Sequence, residues 1–358
     1  MTRFWKGGLL PLLVVFALIA ACGGGEGGPS KSFLSLGTAP PGGAFFVVGG
    51  AIAEVLNLES DAQAWEFTAE ATKGSQENIR RLFAGELDLA LSNSAITFAA
   101  VRGVTGWDRD YPMRTVMTLA PNVALFVTPA GSGVESLADL KGKRVVVGPA
   151  GAGFEYFLEP LLAAHGVTYE DFTPLNATQS GAVDMLSDGS AAAAFLGGAV
   201  PTASITQAAT SMDLRFVPFD PDTMAQLIEE WPFFLPATIP AGTYRGLDED
   251  YVGLNVGSMH LIASQDADED VVYRITKTLW EQRESVVERH PAGRAINPNV
   301  AILNTGTPFH PGAQRFFEET GIWPTSEEPA EATAAEAGEE AGDGGIVEGE
   351  DPLPESEG

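Results

Sequence analysis

Residues 33–57 read FLSLGTAPPGGAFFVVGGAIAEVLN, which predicts a short apolar strand, a glycine-rich turn and a helix. The glycines allow a sharp turn and a close approach to a bound group, and Pro40 and Pro41 stiffen the loop. The helix that follows would direct unpaired backbone N–H groups at the loop, which favours an anion or a carbonyl oxygen. The contact residues that we predict from this loop are Gly37, Thr38, Ala39 and Phe45.

The same pattern occurs again at residues 145–164, VVVGPAGAGFEYFLEPLLAA, where a strand again leads through a glycine loop into a helix. Two such units predict two lobes that face one ligand. The alternative interpretation is that the glycines serve only tight packing between strand and helix. The contact residues that we predict here are Ala150, Gly151, Ala152, Gly153 and Phe154.

Further polar residues fall where predicted strands end or helices begin. Residues 87–91 form an apolar strand that ends in Ser92, Asn93 and Ser94, the position at which open α/β sheets bind ligands. Thr72 and Ser75 fall at a strand end and a helix start, and Ser75 is a candidate N-cap. The alternative is that both residues only cap the helix. The remaining predicted contact residues are Asn122, Gly197 and Gly198.

Two long extended segments, residues 113–127 and residues 252–263, are positioned to cross between the lobes. We therefore predict an α/β, two-lobed fold of the periplasmic-binding-protein type II class, joined by two crossover strands. The predicted boundaries are residues 33–121 plus 258–324 for lobe I and residues 122–257 for lobe II. A disordered N-terminal tether and a disordered acidic tail complete the prediction.

The N-terminus has the features of an export signal. Arg3 and Lys6 precede an apolar run at residues 7–21, which is too short for a permanent membrane span. The run ends in Ile-Ala-Ala before Cys22, which resembles the bacterial lipobox, and Cys22 is the only cysteine of the chain. We predict a signal peptide at residues 1–21, lipidation of Cys22, a tether at residues 22–32 and an extracytoplasmic, membrane-anchored protein. The alternative is a soluble export signal.

The 358-residue chain has a formal charge of −28, which is unevenly distributed. Residues 325–358 contain 12 carboxylates and no Lys, Arg or aromatic residue. Such a composition cannot bury enough apolar surface to fold, so we predict a disordered tail. Basic stripes that could bind phosphates are missing from the sequence, which argues against a nucleic-acid partner.

The sequence contains no pattern of catalytic or metal-binding residues that we recognise. The loop GPAGAG lacks the Lys-Ser or Lys-Thr of a phosphate-binding P-loop, and the sequence contains no GxSxG or HExxH motif. Asp266, Asp268 and Asp270 have the spacing of a calcium loop, but Val271 replaces its glycine, so we interpret them as the start of a helix. We predict no catalytic residue, metal or cofactor.

The order of these motifs resembles the TAXI-type solute receptors of tripartite ATP-independent periplasmic (TRAP) transporters. The matching phrases span most of residues 33–323 and are GTAPPGGAFFVVGGAIAEVLN, TKGSQENIRRLFAGELDLALSNS, LADLKGKRVVVGPAGAG, AFLGGAVP, IPAGTY, DEDVVYRITKTLW and FHPGAQRFFEETG. The resemblance implies a hinged, monomeric receptor that closes on a small polar or anionic solute, of the carboxylate type. Its other partner would be the TRAP membrane permease subunits.

Two departures from the family pattern concern the ligand. Ser92, Asn93 and Ser94 stand where the family often has Gln-x-Asp, which removes a carboxylate that an amino-acid ligand would need. In the second glycine loop Ala152 and Phe154 replace Ser and Thr, which predicts a less polar wall. Two other functions remain open: a receptor that signals to a sensor kinase, and an exported α/β enzyme.

Overall fold

The computed structural model describes residues 31–41 and 43–324. The predicted signal peptide, the lipidation residue Cys22 and the acidic tail lie outside these ranges. The described residues contain two five-stranded sheets and a two-stranded antiparallel ribbon. The predicted two-lobed α/β fold is confirmed.

The first lobe starts with strands and helices that alternate along the chain. They are β1 (Ser32–Gly37), α1 (Ala44–Leu58), α2 (Ser60–Gln63), β2 (Trp65–Glu70), α3 (Ser75–Phe83), β3 (Leu89–Asn93), α4 (Ser94–Ala100) and β4 (Met113–Thr118). In α1, Val48, Ile52 and Val55 recur at helical spacing and are buried. This apolar stripe packs the helix against the sheet.

The second lobe repeats this alternation. Its elements are β5 (Phe126–Pro129), β6 (Arg144–Val146), α5 (Glu155–Ala164), β7 (Thr173–Leu175), α6 (Gln179–Ser187), β8 (Ala193–Phe195), α7 (Ala203–Ser211), β9 (Leu214–Val217) and α8 (Pro221–Glu230). The ribbon of β10 (Phe234–Ile239) and β11 (Tyr251–Val256) follows.

The chain then returns to the first lobe. The last elements are β12 (Met259–Ser264), α9 (Glu269–Glu281), α10 (Arg283–Arg289), α11 (Pro298–Ala301) and α12 (Pro311–Glu319). Asp268 caps α9, because its carboxylate accepts the N–H of Val271 at 2.9 Å. The interpretation of the acidic run as a helix start is therefore confirmed.

The two sheets have the same strand layout. Their orders are β2-β1-β3-β12-β4 and β7-β6-β8-β5-β9. The first three strands of each sheet are parallel, and the fourth strand, β12 or β5, is antiparallel to its neighbours. Each fourth strand is the one that has just crossed from the other lobe. The predicted joining of the lobes by two crossover strands is confirmed.

The two crossovers also bond to each other. The N–H of Leu119 donates to the carbonyl of Met259, and that of Ala124 donates to the carbonyl of Leu254, both at 2.8 Å. The sequence predicts one continuous strand at residues 252–263, but the structure divides it into β11 and β12. Gly257 lies between them at φ +105°, a conformation that interrupts a strand and favours glycine.

The apolar core has two parts. One lies in the first lobe and includes Ile52, Trp65 and Phe317. The other fills the second lobe and continues into Ile79 and Ile96 on α3 and α4 of the first lobe. Apolar packing is therefore continuous between the two lobes.

Candidate functional site

A cavity of about 70 Å³ lies between the two lobes. Its walls come from the carboxyl ends of six parallel strands and the loops after them, together with Asn122 on the first crossover. The six strands are β1, β2 and β3 in one sheet and β6, β7 and β8 in the other. Ligands of open α/β sheets bind at this end of the strands. The described lining residues are Ala39, Pro40, Pro41, Gly43, Ala44, Phe45, Lys73, Gly74, Ser75, Asn93, Asn122, Pro149, Ala152, Phe154, Thr178, Gln179, Gly197 and Gly198.

Four helices begin at lining residues. The N-terminal flanking residues of α1, α3, α5 and α6 are Gly43, Gly74, Phe154 and Thr178. The first N–H groups of a helix have no acceptor inside the helix, and the helix dipole places partial positive charge at that end. Four such ends around one cavity favour a bound anion.

Two hydroxyl groups add hydrogen-bond donors to the wall. The Ser75 hydroxyl accepts the N–H of Asn93 at 2.9 Å, and the Thr178 hydroxyl accepts the N–H of Gly181 at 3.2 Å. Neither hydroxyl donates to an acceptor in the described part of the chain, so both protons are available to a ligand. The wall therefore suits a ligand that is rich in acceptors.

Lys73 supplies a full positive charge. It is the one ionisable residue in the described lining, and its side chain is exposed. An ammonium group can donate three hydrogen bonds, and its bonds to a charged acceptor are stronger than those between neutral groups. Lys73 and the four helix ends therefore favour a negatively charged ligand.

The family model described as the NMT1-like family matches residues 36–321 of the chain. The chain belongs to the NMT1-like family. Its fold is also found in solved structures of low sequence identity. PhnD1 from Prochlorococcus marinus, in complex with methylphosphonate, is 13% identical, with a TM-score of 0.51, and the match covers 81% of this chain and 99% of that one.

Two further structures show the same similarity of fold. A protein from Bordetella bronchiseptica is 14% identical, with a TM-score of 0.50 and coverage of 86% of this chain and 94% of that one. A protein described as a periplasmic transporter is 15% identical, with a TM-score of 0.50 and coverage of 82% and 95%. The NMT1-like chain therefore shares the fold of periplasmic binding proteins.

The cavity brings together many of the residues that the sequence nominates. These are Ala39, Phe45, Ser75, Asn93, Asn122, Ala152, Phe154, Gly197 and Gly198. Of the polar ones, Asn122 offers the most to a ligand. Its backbone N–H donates to the Asn255 side chain at 3.1 Å, whereas its own side-chain amide has no partner in the described residues.

Other nominated residues lie outside the described lining, and they are Gly37, Thr38, Thr72, Ser92, Ser94, Ala150, Gly151 and Gly153. Thr38 and Thr72 lie behind the first loop, where the Thr72 hydroxyl donates to the Thr38 carbonyl at 3.2 Å and accepts the N–H of Gly74 at 3.1 Å. Ser92 is fully buried, and its hydroxyl accepts that of Thr97 at 2.8 Å. Thr38, Thr72 and Ser92 therefore form hydrogen bonds behind the lining residues.

The prediction that Ser75 is the N-cap of α3 is wrong. Gly74 occupies that position and makes no side-chain cap bond, while Ser75 is the first residue of the helix. The Ser75 hydroxyl is instead committed to the N–H of Asn93 on β3. It therefore links the start of α3 to the end of β3.

Sequence reasoning missed a second set of lining residues, namely Pro40, Pro41, Gly43, Ala44, Lys73, Gly74, Pro149, Thr178 and Gln179. Lys73 directly follows the predicted contact residue Thr72 in the loop after β2. The strand-loop-helix pattern could therefore have predicted Lys73 as well. Thr178 caps α6, and a threonine before a predicted helix is the ordinary N-cap signal.

The lobes also touch beside the cavity. The Gln76 side chain of α3 donates to the Tyr156 hydroxyl of α5 at 3.1 Å. The Tyr156 ring stacks on Trp107, with ring centroids 5.8 Å apart. Gly153 lies against Ile96, since a Cβ built on it would be 3.1 Å from the Ile96 Cδ1 atom. These contacts join α3 and α4 of the first lobe to α5 of the second.

A buried histidine, His260, lies on the strand next to β3, which ends at the cavity. His260 on β12 pairs with Ser92 on β3, and its ring lies 2.8 Å from the Thr97 hydroxyl and 3.4 Å from that of Thr115. Burial lowers the pKa of His260 from 6.5 to about 3, because desolvation disfavours the charged ring. His260 is therefore neutral in the folded protein at physiological pH.

His260 should make stability depend on pH. Between pH 6.5 and pH 3 the unfolded chain binds a proton that folded His260 does not. The contribution of neutral His260 to the free energy of unfolding is complete above pH 6.5. It decreases as the pH falls, by about 1.4 kcal/mol per pH unit. We expect His260→Gln to reduce this slope in chemical denaturation across the same window, with His165→Gln as the control for loss of a partly exposed histidine. An unchanged slope in His260→Gln would contradict the assignment.

Proposed function

We propose that this NMT1-like protein is an extracytoplasmic solute receptor that binds a small organic anion between its lobes and delivers it unchanged to a membrane permease. The observation that carries the proposal is the convergence of four helix N-termini and Lys73 on one interlobe cavity. PhnD1, which shares the fold, is solved with methylphosphonate, itself a small organic anion.

The contacts beside the cavity support closure around the ligand. Gln76 and Tyr156 belong to different lobes, so their hydrogen bond is lost when the lobes separate. A ligand in this cavity would contact lining residues of both lobes. A ligand that binds the closed state more tightly shifts the population toward closure, and the contacts between lobes then add to its apparent affinity.

The finer assignment is to the TAXI receptors of TRAP transporters. It rests on the ordered phrases of residues 33–323 and is compatible with NMT1-like membership. The two alternative functions, a receptor for a sensor kinase and an exported enzyme, can be distinguished from a permease receptor by simple observations. A receptor for a sensor kinase would be encoded beside a kinase gene instead of permease genes, and an enzyme would return a chemically altered ligand after incubation.

The anchor assignment concerns residues outside the described ranges. The Ile-Ala-Ala-Cys sequence at residues 19–22 supports lipidation of Cys22. Acyl chains on this residue would hold the receptor at the membrane surface. Among residues 31–41 and 43–324, no helix is long and apolar enough to cross a bilayer.

A thermal-shift screen of small carboxylates, sulfonates and phosphonates tests the receptor function, because a ligand that binds only the folded state raises Tm. For the best ligand we expect Lys73→Gln to weaken binding by roughly tenfold or more in calorimetric titration, since a hydrogen bond to a charged group contributes about 1.5–3 kcal/mol. The matched control is Lys277→Gln, which removes the same charge from the exposed surface of α9 in the same lobe.

Two results would count against this part of the proposal. A broad screen without any shift in Tm would remove the support for a solute receptor. Equal affinities of Lys73→Gln and Lys277→Gln would leave the receptor function in place but exclude Lys73 as an anion contact.

We expect Tyr156→Phe to weaken ligand binding about fivefold although Tyr156 does not line the cavity. The change removes only the hydroxyl that accepts the Gln76 side chain, and a hydrogen bond of this type contributes about 1 kcal/mol. Calorimetry gives the affinity, and a double-mutant cycle with Gln76→Ala isolates the pair. Tyr169→Phe is the control in the same lobe. If Tyr156→Phe binds like the parent, closure does not depend on this contact.

Replacement of Cys22 by Ser should release the protein from membranes, because serine cannot carry a thioether-linked lipid. The measurement is the fraction of protein that pellets with membranes after a high-salt wash. Ser30→Ala, within the predicted tether, is the control and should remain in the pellet. A Cys22→Ser variant that pellets as completely as the parent would exclude the lipid anchor.

A further inference from the structure

The charges of the cavity wall restrict the class of ligand. Among the described lining residues Lys73 is the one charged side chain, and neither Asp nor Glu is present. The other polar groups are hydroxyls, side-chain amides and backbone N–H groups. The wall therefore offers favourable partners to one negatively charged group of a ligand. It offers no carboxylate that could pair with a positively charged group.

The polar side chains of the lining come from both lobes: Lys73, Ser75 and Asn93 from the first, and Asn122, Thr178 and Gln179 from the second. Lys73 and Ser75 follow β2 at the N-terminus of α3. Asn93 ends β3, and its side-chain amide is already committed to Val256, Gly257 and Ala95. On the second lobe, Thr178 supplies a hydroxyl at the start of α6. Gln179 is already committed, since its side chain donates to the Gly197 carbonyl at 2.8 Å and accepts the Ser204 hydroxyl at 2.9 Å.

The rest of the wall is apolar, and its central element is fixed in place. Phe154 packs against Phe157 and Phe195, with ring centroids 5.2 and 5.7 Å away. Its ring also covers Gly148, where a Cβ would overlap the ring. Pro149 and Ala152 lie beside it in the second lobe. The first lobe contributes Pro40, Pro41, Ala44 and Phe45.

We propose that the site selects a compact organic monoanion with an apolar body, of the class of short aliphatic carboxylates and 2-oxo acids, over amino acids and dicarboxylates. This inference rests on the proposed receptor function. The anionic head would lie at Lys73 and the N-terminus of α3, and the aliphatic body would pack between Phe45 and Phe154.

Two costs underlie this selectivity. A buried ammonium group without a carboxylate partner loses its hydration without compensation, and so does a second carboxylate without a second cation.

Three probes with the same number of non-hydrogen atoms separate these effects: 3-methyl-2-oxobutanoate, valine and succinate. The first is a monoanion with an apolar body, valine adds an ammonium group in place of the oxo group, and succinate replaces the apolar body by a second carboxylate. In calorimetric titration of the complete protein we expect the oxo acid to bind at least about tenfold more tightly than either of the others, since an uncompensated buried charge is costly.

A substitution that changes only the charge of the cavity wall also tests the proposed selectivity. Asn122→Asp places a carboxylate at a lining position where the parent side chain is buried. We expect this variant to bind 3-methyl-2-oxobutanoate more weakly, by like-charge repulsion, and to narrow or reverse the preference over valine. Asn304→Asp, an exposed position outside the described lining, is the matched control and should keep the parent preference.

The outcomes distinguish this inference from the receptor function itself. Tighter binding of valine or succinate than of the oxo acid overturns the inference and leaves the receptor function standing. The same holds if the oxo acid fails to bind while another solute raises Tm. The absence of binding by every solute tested overturns both. An Asn122→Asp preference identical to that of Asn304→Asp excludes Asn122 from the selectivity.

Discussion

The unsatisfied N–H groups at the start of each helix are the constraint on which this architecture depends. Every parallel strand must be followed by a helix that packs back on the sheet, so each helix starts at the carboxyl end of a strand. In this chain α1, α3, α5 and α6 all start at one cavity, because the two sheets face each other with those ends inward. Water or an acceptor-rich ligand must satisfy the exposed N–H groups. The fold therefore favours a bound anion before any specific side chain is added.

The crossovers connect this site to the movement of the lobes. Asn93 lines the cavity, and its side-chain amide donates to the carbonyls of Val256 and Gly257 at 3.2 and 2.8 Å. On the other crossover, the N–H of Asn122, also in the lining, donates to Asn255. Both asparagines thus contact the ligand space and the crossover segments at the same time. A ligand that orders them also orders the segments about which the lobes would rotate.

The strand-loop-helix pattern of the sequence was sufficient to predict both lobes and their facing loops, since strand, glycine turn and helix are local features. It was less informative about individual side chains. Ser92, Asn93 and Ser94 form one polar triplet, but successive strand residues point to opposite faces. Asn93 therefore lines the cavity while Ser92 faces Thr97 near His260. Gly257 lies beside the first crossover, where the N–H groups of Val256 and Met259 donate to the carbonyls of Asn122 and Ala120. These contacts are distant in sequence, so the local pattern could not reveal them.

The proposed anion site in a chain of charge −28 is contradictory only if net charge is taken as the relevant quantity. At physiological ionic strength, exposed charges more than about 8 Å apart are largely screened, so the distant surface carboxylates contribute little inside the cavity. There the local groups dominate: Lys73, the helix ends and the hydroxyls, next to apolar walls that exclude water and strengthen each interaction. The acidic surface instead acts on the approach of the ligand, where repulsion slows association at low salt. Affinity and association rate are thus governed by different sets of charges, and salt should change them in opposite directions.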